Sequence, residues 1–308
     1  MFKYILKRFV SMIITMFVII TITFLLMHSV PGGPFAAEKA LPPEVEQALL
    51  EKYHLDDPLW KQYVDYVGGI LRFDLGPSFK YRGLTVNELI VSGFPVSGRV
   101  GGLSILVILL IGIPLGIIAA LKQNRWEDAV VRFLATLGIT IPSFVLATLL
   151  LYVFSLKLDL LPSFGIESWK GYILPVVALS GYSISFVARL TRSSLLEVFR
   201  QDYMIMARAK GLSEFKILFK HGLKNALIPI VTVMGPLIAG LLTGSFVIEK
   251  IFALPGMGGH FVNGISNRDY TVIMGITVFY AGFLLIMVFI VDLIYGFLDP
   301  RIKLDNRS

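Results

Sequence analysis

The chain has 308 residues, 56% of them hydrophobic and only 16% charged, with a mean hydropathy of +0.76. Soluble domains carry about 45–50% apolar and about 25% charged residues, so the composition excludes a soluble globular protein and points to an all-α, polytopic membrane protein. The absence of cysteine excludes disulfides, thiolate metal sites and thiol catalysis, and the formal charge of +7 does not imply a nucleic-acid partner, because the basic residues lie between apolar blocks.

Six blocks are long enough to cross a bilayer, which takes about 20 apolar residues each: 9–30, 98–121, 133–156, 172–191, 227–247 and 273–297. A bare backbone finds no hydrogen-bond partners in lipid, so each block is predicted to be helical. Lys3, Lys7 and Arg8 before the first block resemble the start of a signal peptide. The apolar run Phe9–Val30 is longer than the usual core of about 7–15 residues, so a retained helix is expected. Between the first two blocks, Val45, Leu49 and Tyr53, then Trp60, Tyr63, Val64, Val67 and Leu71, fall at helical spacing. They predict two short amphipathic helices. Pro114, Pro142, Pro175, Pro229 and Pro236 are expected to perturb the spans, and the pairs Gly112/Gly116 and Gly240/Gly244 to let helices pack closely.

With six alternating spans, Lys3, Lys7 and Arg8, then Lys122, Arg125 and Arg132, then the basic run Arg189–Lys224 and finally Arg301, Lys303 and Arg307 fall on one side. The positive-inside rule makes that side the cytoplasm and places both termini there. No phosphate-binding GxxxxGK[ST] loop, HExxH or GxSxG occurs, and His28, His54, His221 and His260 are scattered, so neither a catalytic nor a metal site is expected. Asp292 is the one acid deep in a span, near its predicted cytoplasmic edge. So sparse a set of intramembrane acids disfavours an ion-driven secondary carrier.

Residues 192–229 read as helix, turn, helix. Gly211 can end the first helix in the left-handed conformation and Lys210 complements its dipole. Ser213 can cap the second helix, with Glu214 in its first turn. Phe215, Leu218 and Phe219 predict an apolar stripe, and the small residues Ala207, Ala209 and Gly211 predict close approach by another protein.

ARAKGL at 207–212, followed by HGLKNALIP, resembles the coupling motif of ABC importer permeases in the form used by the B-type oligopeptide and dipeptide permeases. Ile205 and Met206 stand where the general motif has Glu and Ala. Also similar are VPGGP at 30–34, YHLDDPLWKQYVDYVGGILRFDLGPSF at 53–79, IGIPLGIIAA at 111–120, ITIPSFVLATLLLYVFS at 139–155, LPSFG at 161–165 and GSFVIEKIFALPGMG at 244–258. The resemblance implies a type I ABC importer transmembrane fold and a permease that forms half of a peptide pathway in the bacterial inner membrane. It divides the chain into an N-terminal helix (1–31), an extracytoplasmic segment (32–95), a permease core (96–298) with its coupling segment at 203–221, and a cytoplasmic tail (299–308). It implies partners: a second, homologous permease, two ABC ATPase subunits that hold ATP and magnesium, an extracytoplasmic peptide-binding protein, and lipid. No cofactor is expected on this chain. It implies ATPase coupling through Ala207, Arg208, Ala209, Lys210, Gly211, Leu212, Ser213 and Glu214, and an outer gate or binding-protein contact at Glu249, Phe252, Pro255, Gly256 and Gly258. Tyr182, Ser183 and Phe246, polar or aromatic residues in kinked spans, are the pathway candidates. Nickel or another small solute is the alternative cargo within the same superfamily.

Overall fold

A computed structural model describes residues 2–35, 43–81 and 83–298; the expected tail at 299–308 lies outside them. In chain order the helices are α1 (Phe2–His28), α2 (Pro43–Lys52), α3 (Leu59–Leu71), α4 (Val86–Leu121), α5 (Trp126–Thr140) and α6 (Ser143–Leu150). A π-helical stretch, Leu151–Lys157, prolongs α6, and a 3₁₀ turn, Trp169–Tyr172, leads into α7 (Ile173–Phe199). There follow α8 (Asp202–Ala209), α9 (Glu214–Lys216), a second π-helical stretch (Ile217–Gly222), α10 (Leu223–Ala226), α11 (Ile228–Leu242), α12 (Phe246–Ile251), α13 (Met257–Ser266) and α14 (Tyr270–Leu298). Among the described residues no strand forms; Pro77 and Thr85 make an isolated bridge.

Among the described residues, five helical stretches are long and apolar enough to cross a membrane. The expected third span differs from a single rod: α5 and the α6 stretch meet at 102° across Ile141 and Pro142. Proline lacks an amide hydrogen and disfavours a helical residue before it, and Ile141 is extended (φ −77°, ψ 119°). The fifth span is broken too, because α11 stops at Leu242 and α12 resumes at Phe246. By contrast α4 runs unbroken through Pro114, and Pro229 sits in the first turn of α11, where the missing amide costs nothing.

The described residues divide into two compact units, one within 97–254 and 287–298, the other within 2–96 and 255–286. In the first, α7 is the central helix. A Cβ on Gly116 would press on Thr191 and the Ala188 carbonyl, and one on Gly138 would overlap the Ser185 hydroxyl, so the bare glycines let α4 and α5 close on α7. Val187 joins Ile108 of α4 and Ile230, Met234 and Leu241 of α11 in one buried cluster. At the far end of α7, Leu195 packs with Ala120, Leu218 and Ala226.

In the second unit, Phe24 of α1 packs on Tyr270 and Met274 of α14, with Tyr63 and Tyr66 of α3 against them. The predicted apolar face of α3 is therefore only partly used inward: Tyr63 shares a 2.6 Å hydrogen bond with Thr21, while Trp60, Val64 and Leu71 remain exposed. Burial raises the Tyr66 phenol well above its ordinary pKa. Asp269, fully buried just before α14, accepts hydrogen bonds from the Ser78 and Thr271 hydroxyls and from the amides of Phe79, Lys80 and Val272. One carboxylate thus caps a helix and pins residues 78–80.

Candidate functional site

The segment that leaves the end of α7 is built as a stiff bracket. Asp202 in the first turn of α8 and Arg208 in its last both complement the helix dipole. The helix ends in a Schellman arrangement: the Gly211 amide donates to Arg208 O (2.9 Å) and the Leu212 amide to Ala207 O (3.3 Å), with Gly211 at φ +72°. The Ser213 hydroxyl accepts from the Lys216 amide at 3.4 Å, which starts α9. Arg208 and Glu214 close the turn from outside with a 3.1 Å ion pair. Leu212 completes the motif by packing on Met204, Ala207 and Ile217.

Two expectations for this segment are corrected. Ala207 is buried against Met204 and Ile217, so it fastens α8 to the following stretch and is not a point of approach. Phe215, Leu218 and Phe219 do not share a face. Ile217 and Leu218 turn inward, whereas Phe215 and Phe219 stay 71% and 52% exposed, their ring centroids 4.4 Å apart. The π-helical register from Ile217 onward separates them, since Phe215 and Phe219 adjoin with their rings tilted at 36° while Ile217 and Leu218 between them turn inward. The surface left outside combines Tyr203, Ile205, Met206, Phe215 and Phe219 with Ala209, Gly211, Arg208, Lys210 and Lys216, all exposed. Clustered exposed apolar residues rimmed by charge mark a surface awaiting a partner.

The pathway candidates separate. Tyr182 and Ser183 line a groove of about 400 Å³ between α7 and α11, with Phe186, Val233, Pro236 and Gly240. Tyr182 and Phe186 stack with centroids 6.4 Å apart. Gly240, expected to be a packing glycine, has open space where its Cβ would stand, because it faces this groove. Phe246 is half-buried on α12 and does not line it.

Of the expected outer cluster, Glu249 and Phe252 belong to the first unit and are buried. The Ser97 hydroxyl donates to Glu249 Oε1 at 2.6 Å. Neither residue offers an open contact face, since α12 turns both into the protein. Pro255, Gly256 and Gly258 belong to the second unit, with Pro255 exposed, Gly256 buried and Gly258 half-buried at the start of α13. Two residues further on, burial lowers the His260 imidazole below its ordinary pKa, its ring edge-on to Tyr81. No group of three or more His, Asp or Glu is placed to hold a metal among the described residues.

Comparison with known proteins decides what family this architecture serves. The profile of the family described as binding-protein-dependent transport system inner membrane component matches residues 112–304, and that of the N-terminal region of such membrane components matches residues 1–95. The chain belongs to this family. The permease is 51% identical to the dipeptide transport system permease protein DppB of Bacillus subtilis (strain 168), over all of both chains. It is 46% identical to the oligopeptide transport system permease protein OppB of Salmonella typhimurium, over 98% of this chain and all of that one. A solved structure of the inward-facing MetNI methionine ABC transporter matches in fold, with a TM-score of 0.57 and 19% identity, over 68% of the permease and 96% of that chain. The permease is thus a multi-pass inner-membrane component of an ABC transport system with the fold class its sequence predicted.

One interaction in the permease escaped the sequence reading. Asp128, fully buried in the first turn of α5, meets Arg192 of α7 in a two-pronged ion pair, Nε–Oδ1 2.6 Å and Nη2–Oδ2 2.8 Å. The Asn124 amide adds a third hydrogen bond at 3.0 Å, and Arg132 lies 3.5 Å away. Only the unusual placing of an acid among Lys122, Arg125 and Arg132 hinted at it.

Proposed function

We propose that this permease forms half of the translocation pathway of an ATP-driven peptide importer, and that residues 203–221 are the surface through which separate ATPase subunits drive it. The observation that carries the reading is the exposed Tyr203–Ile205–Met206–Phe215–Phe219 patch on a bracket fixed by the Gly211 turn and rooted at the base of α7. A rigid exposed element continuous with a pathway helix can receive a push and pass it on. The bracket must prefer one nucleotide state of its partner over the other, or no work is transmitted.

In this reading ATP and magnesium are held by two ATPase partners, and this chain hydrolyses nothing. A homologous permease completes the pathway and an extracytoplasmic binding protein delivers the peptide. The similarity to dipeptide and oligopeptide permeases supports peptide cargo. Tyr182 and Ser183 face the peptide from the α7–α11 groove.

Cytoplasmic termini fit the same geometry. Asp128 pairs with Arg192 near one end of α7; the other end continues through the 3₁₀ turn to Trp169, and the 31 residues Trp169–Phe199 are long enough to cross. In this reading the stretch from 128 to 169 crosses as well, and the bent pair taken as one span gives an even total.

The test is Gly211→Asp in the complex expressed with its ATPases and binding protein. Membrane insertion is expected to persist, while ATPase co-purification and peptide uptake fall at least tenfold. Normal assembly and normal uptake would remove the coupling role from this segment.

A further inference from the structure

We infer that the ion pair between the buried Asp128 and the half-buried Arg192 is a positioning device that makes α5 move with α7, so that displacement received at the bracket reaches the bend at Ile141–Pro142. The inference rests on the coupling role proposed above and extends it to residues which that role does not involve.

Arg192 lies seven residues before the end of α7 at Phe199, about 10 Å along the helix axis. It is therefore close to the bracket on one side and to the Tyr182–Ser183 groove, about 15 Å away, on the other. The two-pronged geometry fixes both distance and angle, which a single contact would not. With the Asn124 amide on the same carboxylate, the pair also ties down the connection between α4 and α5. The seam continues along both helices: Arg189 donates to the Thr136 hydroxyl at 3.5 Å, and the bare Gly138 lets α5 close on the Ser185 side chain. A seam closed by an ion pair at one end and by the Gly138–Ser185 contact at the other has little slack for sliding. Motion imposed on α7 then carries α5, and the 102° elbow after Thr140 is the first place where the chain can flex. A bidentate buried pair exceeds what insertion needs, since an apolar pair of similar volume would pack as well.

That last point supplies the experiment. Asp128→Leu with Arg192→Met removes the directional contact and leaves no buried charge unpaired. In proteoliposomes holding the complete complex and its binding protein, with labelled trialanine as probe, the readout is peptide imported per ATP hydrolysed. The expected result is normal assembly, retained ATPase activity and a roughly tenfold lower ratio. A second variant, Asp128→Glu with Arg192→Lys, keeps an ion pair across the same seam. It should recover part of the ratio that the apolar pair loses. An unchanged ratio in the apolar pair overturns the inference, as does a lowered ratio that the conservative pair fails to raise. Loss of assembly in both variants also overturns it and assigns the pair to folding. Failure of the underlying coupling role would look different, as uptake by the unaltered complex that continues without nucleotide.

Discussion

The Ser97 hydroxyl and the Glu249 carboxylate meet at 2.6 Å, and the backbone of Gly244 fills the space beside both. Gly244 has φ +93°, and a Cβ there would overlap Glu249 Oε1 and lie 2.7 Å from Ser97 Oγ. The break between α11 and α12 therefore depends on a residue without a side chain. Gly244→Ala combines left-handed backbone strain of about 1–2 kcal/mol with overpacking of about 1–3 kcal/mol. Its expected effect is a fall of several degrees in the thermal midpoint of the detergent-solubilised permease. A midpoint equal to that of the unaltered chain would show that the break does not need glycine.

The exposed aromatic pair should matter to assembly and not to folding. Fully burying a large apolar side chain contributes about 1.5–3 kcal/mol, and about 1.4 kcal/mol is a tenfold change in affinity. Phe215→Ala with Phe219→Ala is expected to weaken ATPase association by at least tenfold while the thermal midpoint of the isolated permease stays within a degree or two. Quantitative pull-down against a midpoint measurement separates the two. A lowered midpoint with intact association would reverse the assignment.

Gly116 of α4 and Gly240 of α11 should respond in opposite ways. A Cβ at Gly116 meets Thr191 and the Ala188 carbonyl, whereas one at Gly240 meets nothing within 4 Å. Gly116→Leu should lower stability by about 1–3 kcal/mol, by the cost of overpacking a helix seam. Gly240→Ala should leave it unchanged or slightly raised, because alanine favours the helix by about 1 kcal/mol. Parallel denaturation curves decide between them, and equal effects would contradict the seam described for α4 and α7.

Asp269 offers a test of the second unit. Its carboxylate accepts five hydrogen bonds from residues 78–80 and from the start of α14. Asp269→Ala leaves several buried donors without a partner, each costing about 1–3 kcal/mol. Limited proteolysis should then cut near residues 77–85 at rates several-fold above those of the unaltered chain. Unchanged cleavage would show that the segment is held by other means.

The sequence was most informative where the signal was local. Apolar blocks gave away the spans, and Gly211 with Ser213 gave away the bracket's turn, because helix caps are written within a few residues. It was least informative where the signal was distant. Asp128 and Arg192 are separated by 64 positions and nothing in either neighbourhood names the other. Pro142 announced a perturbation, but a proline does not state an angle, and the 102° bend goes with the packing of both halves on α7 and of α6 on α12. The Phe215–Leu218–Phe219 stripe was misplaced because it assumed an uninterrupted α-helical period, and the π-helical stretch beginning at Ile217 shifts that period. Ala207 was assigned outward because small residues suit both tight cores and close contacts, and sequence does not distinguish the two.

The aromatic pair at Phe215 and Phe219 also bears on supply. If the bracket docks ATPases as proposed, a copy synthesised beyond their number would leave two adjoining phenyl rings in water, an apolar surface open to aggregation. Overproduction of this subunit alone should therefore give short-lived protein, and its lifetime in the cell should rise with the dose of its companions until the ratio of subunits is met.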